Sequence, residues 1–280
     1  MRTYAQVMQA ADKQLLAVFD HSDAGYYMRE LLEKYDLDLY ANLDNFISQE
    51  IDTEFQAGIK RLLDSEPLAH VLGYSWFYGR KFKVNDDVLI PRPETEQLVL
   101  NTILEVESYF DTFDLDLLDL ACGSGAIGIS LKLEEPELTV SLSDISKEAL
   151  EVVSENADKL KAEVEISQGD MLQKYIANGD KFDVIICNPP YILNNEQLQA
   201  SVYDFEPHLA LFGGEDGLDF YRQVLEESKP VLKNPGILGF EMGYDQKETL
   251  SNEILNYYPE AQIKHFKDYA NLDRMIFIFI

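Results

Sequence analysis

The residues best suited to a chemical step are Asn188-Pro189-Pro190-Tyr191, which follow directly on the strand-like run Val184-Ile-Ile-Cys187. The carboxyl end of a central strand is where open α/β sheets bind ligands. The residue types suit a planar nitrogen. An amide nitrogen is a poor nucleophile because its lone pair is delocalised into the carbonyl. A site that accepts hydrogen bonds from both N–H groups raises its electron density and aims it. Asn188 offers a side-chain oxygen and Pro189 a backbone carbonyl, while the prolines bring no competing N–H. Tyr191 is expected to stack on the planar group. By itself the tetrapeptide points to methylation of a planar nitrogen, either an exocyclic base amine or a glutamine amide.

A second constellation lies upstream. Leu118-Asp-Leu-Ala-Cys-Gly123-Ser-Gly125-Ala-Ile-Gly128 follows a strand and opens a helix. Glycines in such a turn let backbone approach a nucleotide closely. Ala121, Gly123, Ser124 and Gly125 form the expected cradle, and Asp144, at the end of the next strand beside Ile145, is placed to accept from ribose hydroxyls. The glycines spell G-x-G-x-x-G, so a nicotinamide dinucleotide is the first alternative. Two details favour S-adenosylmethionine. Asp119 stands at the end of the strand, where a carboxylate meets a cationic ammonium or its water but repels a pyrophosphate. The second is the methyl-transfer signature further on, Asn188-Pro-Pro-Tyr191; Asp170 in Gln168-Gly-Asp-Met171 can accept from an adenine amine, with Met171 against the ring. Asn188 then closes the same site.

The elements that must position these groups form an α/β pattern. From about residue 114, strands and helices alternate: strands at Leu115–Leu120, Leu138–Leu142, Val164–Ser167, Phe182–Cys187, Gly236–Glu241, Ala261–Phe266 and Arg274–Ile280, and helices at Ala126–Leu133, Ser146–Lys161 (Ser146 as N-cap), Leu218–Leu232 and Gln246–Tyr257. This predicts a Rossmann-like, mostly parallel sheet with helices on both faces. Residues 1–73 instead carry helical spacing, with Leu15, Leu16 and Phe19, then Met28, Leu31, Leu32 and Tyr35, then Phe55, Ile59, Leu62 and Leu63. They predict a small all-α domain of four or five helices, broken near Gly25 and Asp36–Asp38. Between the two, Tyr74–Val84 is aromatic and β-branched around Gly79, so 74–90 reads as a β-hairpin connector and 91–280 as the catalytic domain, opened by a helix from Glu94 to Phe110 with Thr95 near its start.

Bulk composition narrows the partners. The formal charge of −28, from 23 Lys and Arg against 51 Asp and Glu, argues against a nucleic-acid substrate, which basic side chains would have to neutralise. No apolar run reaches the ~20 residues of a membrane span, and the N-terminal stretch lacks a signal-peptide pattern. With only Cys122 and Cys187 there is no disulfide framework, and a reducing, cytoplasmic setting is expected. The histidines show no metal-ligand spacing.

Taken together, Glu66-Pro-Leu-Ala-His70, Leu89-Ile-Pro-Arg-Pro-Glu-Thr-Glu96, Asn188-Pro-Pro-Tyr-Ile192, Phe205-Glu-Pro-His-Leu-Ala-Leu211 with Gly213-Gly214, and Asp268-Tyr-Ala-Asn-Leu-Asp273 closely resemble the HemK/PrmC family of release-factor glutamine methyltransferases, from about Glu66 to the C-terminus. The resemblance implies a five-helix domain joined by a hairpin to a seven-stranded methyltransferase domain. It implies S-adenosyl-L-methionine as cofactor, S-adenosyl-L-homocysteine as product, and the Gly-Gly-Gln glutamine of class I peptide chain release factors as substrate, handled by a monomer. Carried over, Asn188, Pro189, Pro190 and Tyr191 are catalytic, Asn188 and Pro189 hold the amide, and Leu89 and Arg92 line the mouth. One departure stands out: the family usually has Gly-Thr where Ala121-Cys122 precede Gly-Ser-Gly, so the backbone path there is open to change. Cys122 reads as packing or function and Cys187 as a buried strand residue, His70 as structural, while Glu241-Met-Gly243 has no derivable role. The alternatives are a glutamine methyltransferase acting on a ribosomal protein, an adenine-N6 methyltransferase, and a nicotinamide-dependent or non-catalytic Rossmann-type module.

Overall fold

The computed structural model describes residues 2–280, which gather into two compact units. The first holds the residues up to Tyr74 together with Leu198–Phe205, and the second holds Ser75–Gln197 and Glu206–Ile280.

The first unit contains α1 (Tyr4–Leu15), α2 (Ala24–Glu33), α3 (Leu39–Asn42), α4 (Gln49–Leu63) and α5 (Leu68–Leu72). Side-chain caps set where α1, α3 and α4 start. Thr3 accepts from the Gln6 N–H while the Gln6 side chain accepts from the Thr3 N–H, and Ser48 accepts from the Ile51 N–H. Val7, Met28, Leu32, Phe55 and Ile59 form the shared core. Gly25 does not break the chain as expected. It is the second residue of α2, where its backbone N–H needs no intrahelical partner.

The hairpin forms as β1 (Tyr74–Phe77) and β2 (Arg80–Lys83). Both turn residues, Tyr78 and Gly79, have positive φ (48° and 73°), the geometry that matches strand twist. Phe77 and Phe82 are fully buried in the core of the second unit. A 3₁₀ turn, Pro93–Thr95, precedes α6 (Glu96–Phe110), so the helix expected from Glu94 begins two residues later. The elements that follow are β3 (Asp116–Leu120), α7 (Ala126–Glu134), β4 (Thr139–Asp144), α8 (Lys147–Leu160), β5 (Glu165–Gln168), α9 (Gln173–Asn178) and β6 (Phe182–Cys187). After α10 (Ala200–Tyr203) come α11 (Asp219–Glu227), β7 (Leu232–Glu241), α12 (Lys247–Tyr257), β8 (Gln262–Lys267) and β9 (Asp273–Phe279).

Seven strands order as β5-β4-β3-β6-β7-β9-β8, all parallel except β9, which runs antiparallel to both neighbours. Alternate residues of each strand supply two cores. Leu117, Val184, Ile186 and Phe277 face one layer of helices, and Leu118, Ile185, Cys187 and Ile276 face the other. Burial on both faces is why these strands read as near-continuous apolar runs. Helix α11 stops at Glu227, short of the expected Leu232, because Pro230 disfavours helical conformation in the residue before it. Helices α9 and α10 and the 3₁₀ turn His208–Ala210 had no periodic signal, being six residues or fewer. The chain order reverses between β3 and β6, so a crevice opens beyond the carboxyl ends of β3, β4 and β6.

Candidate active site

At the end of β3 the chain turns through Ala121 (φ 55°), Gly123 (φ 54°) and Gly125 (φ 77°), all in the left-handed region. A Cβ on Gly125 would lie 3.0 Å from Ile129 and 3.1 Å from Val153, and one on Gly128 would lie 2.9 Å from the Asp119 carboxylate. Those glycines allow α7 to sit against the sheet. Ala121 makes the same kind of turn with a side chain, so the departure from glycine is accommodated at the cost of a left-handed, strained residue. Asn156 on α8 braces the turn, donating to the Ser124 carbonyl (2.9 Å) and to Lys83 of the hairpin (3.1 Å).

Asp144, at the end of β4, accepts from the Gly123 N–H through Oδ2 (2.9 Å) and from the Ser146 N–H through Oδ1 (2.9 Å). It thereby fixes the turn while keeping lone pairs for a ligand. Burial pushes its carboxyl up against these hydrogen bonds.

A cavity opens at this point. Of the residues singled out from the sequence, Leu89, Ala121, Gly123, Asp144, Ile145, Asp170, Met171, Asn188 and Pro190 lie on its wall. The other six lie off it, and for three of them the physical reason is plain. Asp119 is fully buried behind the turn, where its Oδ2 accepts from the Gly128 N–H (2.7 Å) and burial pushes its carboxyl up to about 7. It is not positioned as a surface carboxylate facing a ligand. Tyr191 points inward, its hydroxyl donating to Glu241 (3.4 Å), rather than over the cavity. Arg92 is ion-paired with the buried carboxylate of Glu206. Ser124 and Gly125 shape the turn from beneath, and Pro189 is buried beside Pro190.

The cavity also has walls that residue-level reasoning missed. Asp86, Asp87 and Val88 form one, and Pro207, Leu209, Ala210 and Phe220 another. The family-like stretch Phe205–Leu211 contained the second, but its place beside the cavity depends on pairing. Ile192 donates to the Leu211 carbonyl (3.0 Å), and Gly213 donates back to the Ile192 carbonyl (2.8 Å). A Cβ at Gly213 would fall 2.5 Å from the Pro190 carbonyl, and one at Gly217 2.4 Å from that of Tyr191. These glycines let the two segments close together, which holds the Asn188–Tyr191 turn in place.

Four carboxylates, Asp86, Asp87, Asp144 and Asp170, stand on the cavity wall, and among the described residues no lysine or arginine does. This field suits a cationic ligand and opposes a pyrophosphate. Cys122 and Cys187 are buried and burial pushes both thiols well up, so neither is poised as a nucleophile.

The sheet order, the glycine-bearing turn and the carboxylate ending β4 define a methyltransferase-type α/β domain. In agreement, the chain superposes on a methyltransferase from Pyrococcus furiosus with a TM-score of 0.52 at 18% identity, covering 79% of this chain and 96% of that one. Residues 97–205 match the Methyltransferase small domain, and residues 6–73 match the PrmC N-terminal domain. The chain is 41% identical over 241 residues to the release factor glutamine methyltransferase of Bacillus anthracis, covering 85% of each. It is 40% identical over 255 residues to that of Bacillus subtilis, covering 88% of each. The chain belongs to the release factor glutamine methyltransferase family.

Proposed function

We propose that this chain transfers a methyl group from S-adenosylmethionine to the side-chain amide nitrogen of the glutamine in the Gly-Gly-Gln loop of class I translation release factors, leaving S-adenosylhomocysteine. The observation that carries the reading is that Asn188 and Asp144 open onto one acidic cavity. When bound, the cofactor supplies an electrophilic methyl on a sulfonium, so the protein's task is alignment and exclusion of water. Asp144 accepts from ribose hydroxyls with the lone pairs its two backbone donors leave free. Asp170 accepts from the adenine amine, and Ile145 and Met171 supply apolar contact. The Asn188 side-chain oxygen and the Pro189 carbonyl accept the two N–H groups of the substrate amide, directing its lone pair into the cavity. Leu89, Leu209 and Phe220 keep water from the reacting centre. The proton that the amide sheds passes to water after transfer, so no general base is needed.

Mass spectrometry of a release factor incubated with this protein and S-adenosylmethionine, with duplex DNA in a parallel tube, tests the reading. One added methyl on the Gly-Gly-Gln glutamine is expected. A factor left unmodified, with or without label in the DNA, would overturn the substrate assignment.

A further inference from the structure

Several family-like stretches that the methyl-transfer chemistry leaves unused meet at a single carboxylate. Glu241 ends β7, and the residue before it, Phe240, pairs in register with Cys187, the residue before Asn188. Its side chain is buried. The Thr95 hydroxyl donates to Oε2 at 2.7 Å and the Tyr191 hydroxyl approaches Oε1 at 3.4 Å, while the Tyr221 hydroxyl donates to the Glu241 backbone carbonyl at 2.7 Å. Burial pushes the Glu241 carboxyl and the Tyr191 hydroxyl up, and the charge of the nearby Arg274 guanidinium opposes both shifts. The guanidinium is held there by Asp268 (3.2 Å), whose carboxylate is in turn fixed by the Ala270 and Leu272 N–H groups. The network therefore draws on the segment before α6, the turn after β6, the end of β7 and the Asp268–Arg274 corner.

A buried carboxylate is tolerated only when its lone pairs are used, so each of these partners is held in place by the same requirement. Thr95 continues the stretch from Leu89, which is on the cavity wall, and Tyr191 closes the turn that begins at Asn188. No atom of this network needs to touch the reacting groups. We infer that Glu241 is a positioning residue for methyl transfer: its carboxylate ties Tyr191, and through it the Asn188–Pro190 turn, to the segment that runs from Leu89 on the cavity wall to Thr95.

This inference rests on the methyl-transfer reading, so the wild-type protein is assayed first. A wild type that methylates no release factor sinks that reading, whatever the variants do. Given an active wild type, kcat and KM for a release factor and calorimetric affinity for S-adenosylhomocysteine are measured for Glu241→Ala, Glu241→Gln, Tyr191→Phe and the Glu241→Gln/Tyr191→Phe pair. A misplacement near 1 Å costs on the order of 100-fold in rate, so Glu241→Ala is expected to lose about that much kcat with product affinity within about threefold. Glu241→Gln keeps an acceptor and, since both hydroxyls rotate, both links, so it retains most of kcat. Tyr191→Phe lowers kcat, and adding Glu241→Gln to it changes nothing further. Parallel loss of product affinity and kcat in Glu241→Ala, or a Tyr191→Phe variant that keeps wild-type kcat, would overturn the inference. If Glu241→Ala fails to fold, the Gln and Phe variants and their pair decide it alone.

Discussion

Arg92 and Glu206 offer the sharpest test of how the cavity is built. The Glu206 side chain is 1% exposed, and its carboxylate accepts from the Ile90 N–H at 3.0 Å and from the Arg92 guanidinium. Ile90 adjoins Leu89 on one wall, and Glu206 adjoins Pro207 on the other, so this contact joins both sides of the cavity. Replacing Arg92 with alanine leaves a buried carboxylate with one backbone donor. Breaking a fully buried pair in this way costs about 3–5 kcal/mol, and an exposed pair costs below about 1 kcal/mol. The Arg92 side chain is 36% exposed, so water reaches part of the vacated space and the expected loss is about 2 kcal/mol. Urea unfolding followed by fluorescence of the lone tryptophan, Trp76, reports on the unit that contains the pair. Removing the charge as well, in Arg92→Ala/Glu206→Gln, retains an acceptor for Ile90 and should recover about 1 kcal/mol of that loss. Calorimetry should show S-adenosylhomocysteine binding weakened about tenfold in the single variant, equal to about 1.4 kcal/mol. An Arg92→Ala protein within about 0.5 kcal/mol of wild type, or a double variant less stable than the single, would refute the reasoning.

Three further outcomes are expected. The Asp119 carboxyl is raised to about 7 by burial, so the folded state keeps a proton that the unfolded chain releases from about pH 4; its stability contribution is complete below that and is lost as pH rises through 7. Asp119→Asn should therefore gain on wild type by on the order of 3 kcal/mol between pH 5 and pH 8, and a pH-independent difference in urea midpoints would count against the burial argument. Ala121→Gly relieves a left-handed residue at φ 55° and should stabilise by about 0.5–1 kcal/mol after the added chain entropy of glycine, read as a higher thermal midpoint; a lower one contradicts it. Asn188→Ala should cut methyl transfer sharply with S-adenosylhomocysteine affinity nearly intact, whereas Asp144→Ala should weaken that affinity, and the reverse pattern would exchange the two proposed roles.

Much of the fold is written in local signals. The β6 strand, Phe182–Cys187, was legible residue for residue because a strand buried on both faces must be a short apolar run, and Asn188 ends it. Helix α8 was legible from Ser146, whose hydroxyl accepts from the Ala149 N–H. The turn glycines and Asp144 announce a nucleotide cradle because positive φ and a strand-end carboxylate are local requirements. What the sequence alone could not place are groups whose partners lie far along the chain. Arg92 looks like a free cation until Glu206, 114 residues on, neutralises it. Thr95 looks like a helix cap, yet its hydroxyl donates to Glu241, 146 residues away. Asp119 looks like a ligand-facing acid, but the close approach of α7 at Gly128 seals it from solvent. Leu198–Phe205 gathers with the N-terminal helices although it falls between β6 and β7. Local pattern determined which residues form the strands, turns and caps. Only packing decided which polar groups remained accessible, because burial and pairing depend on segments brought together from distant parts of the chain.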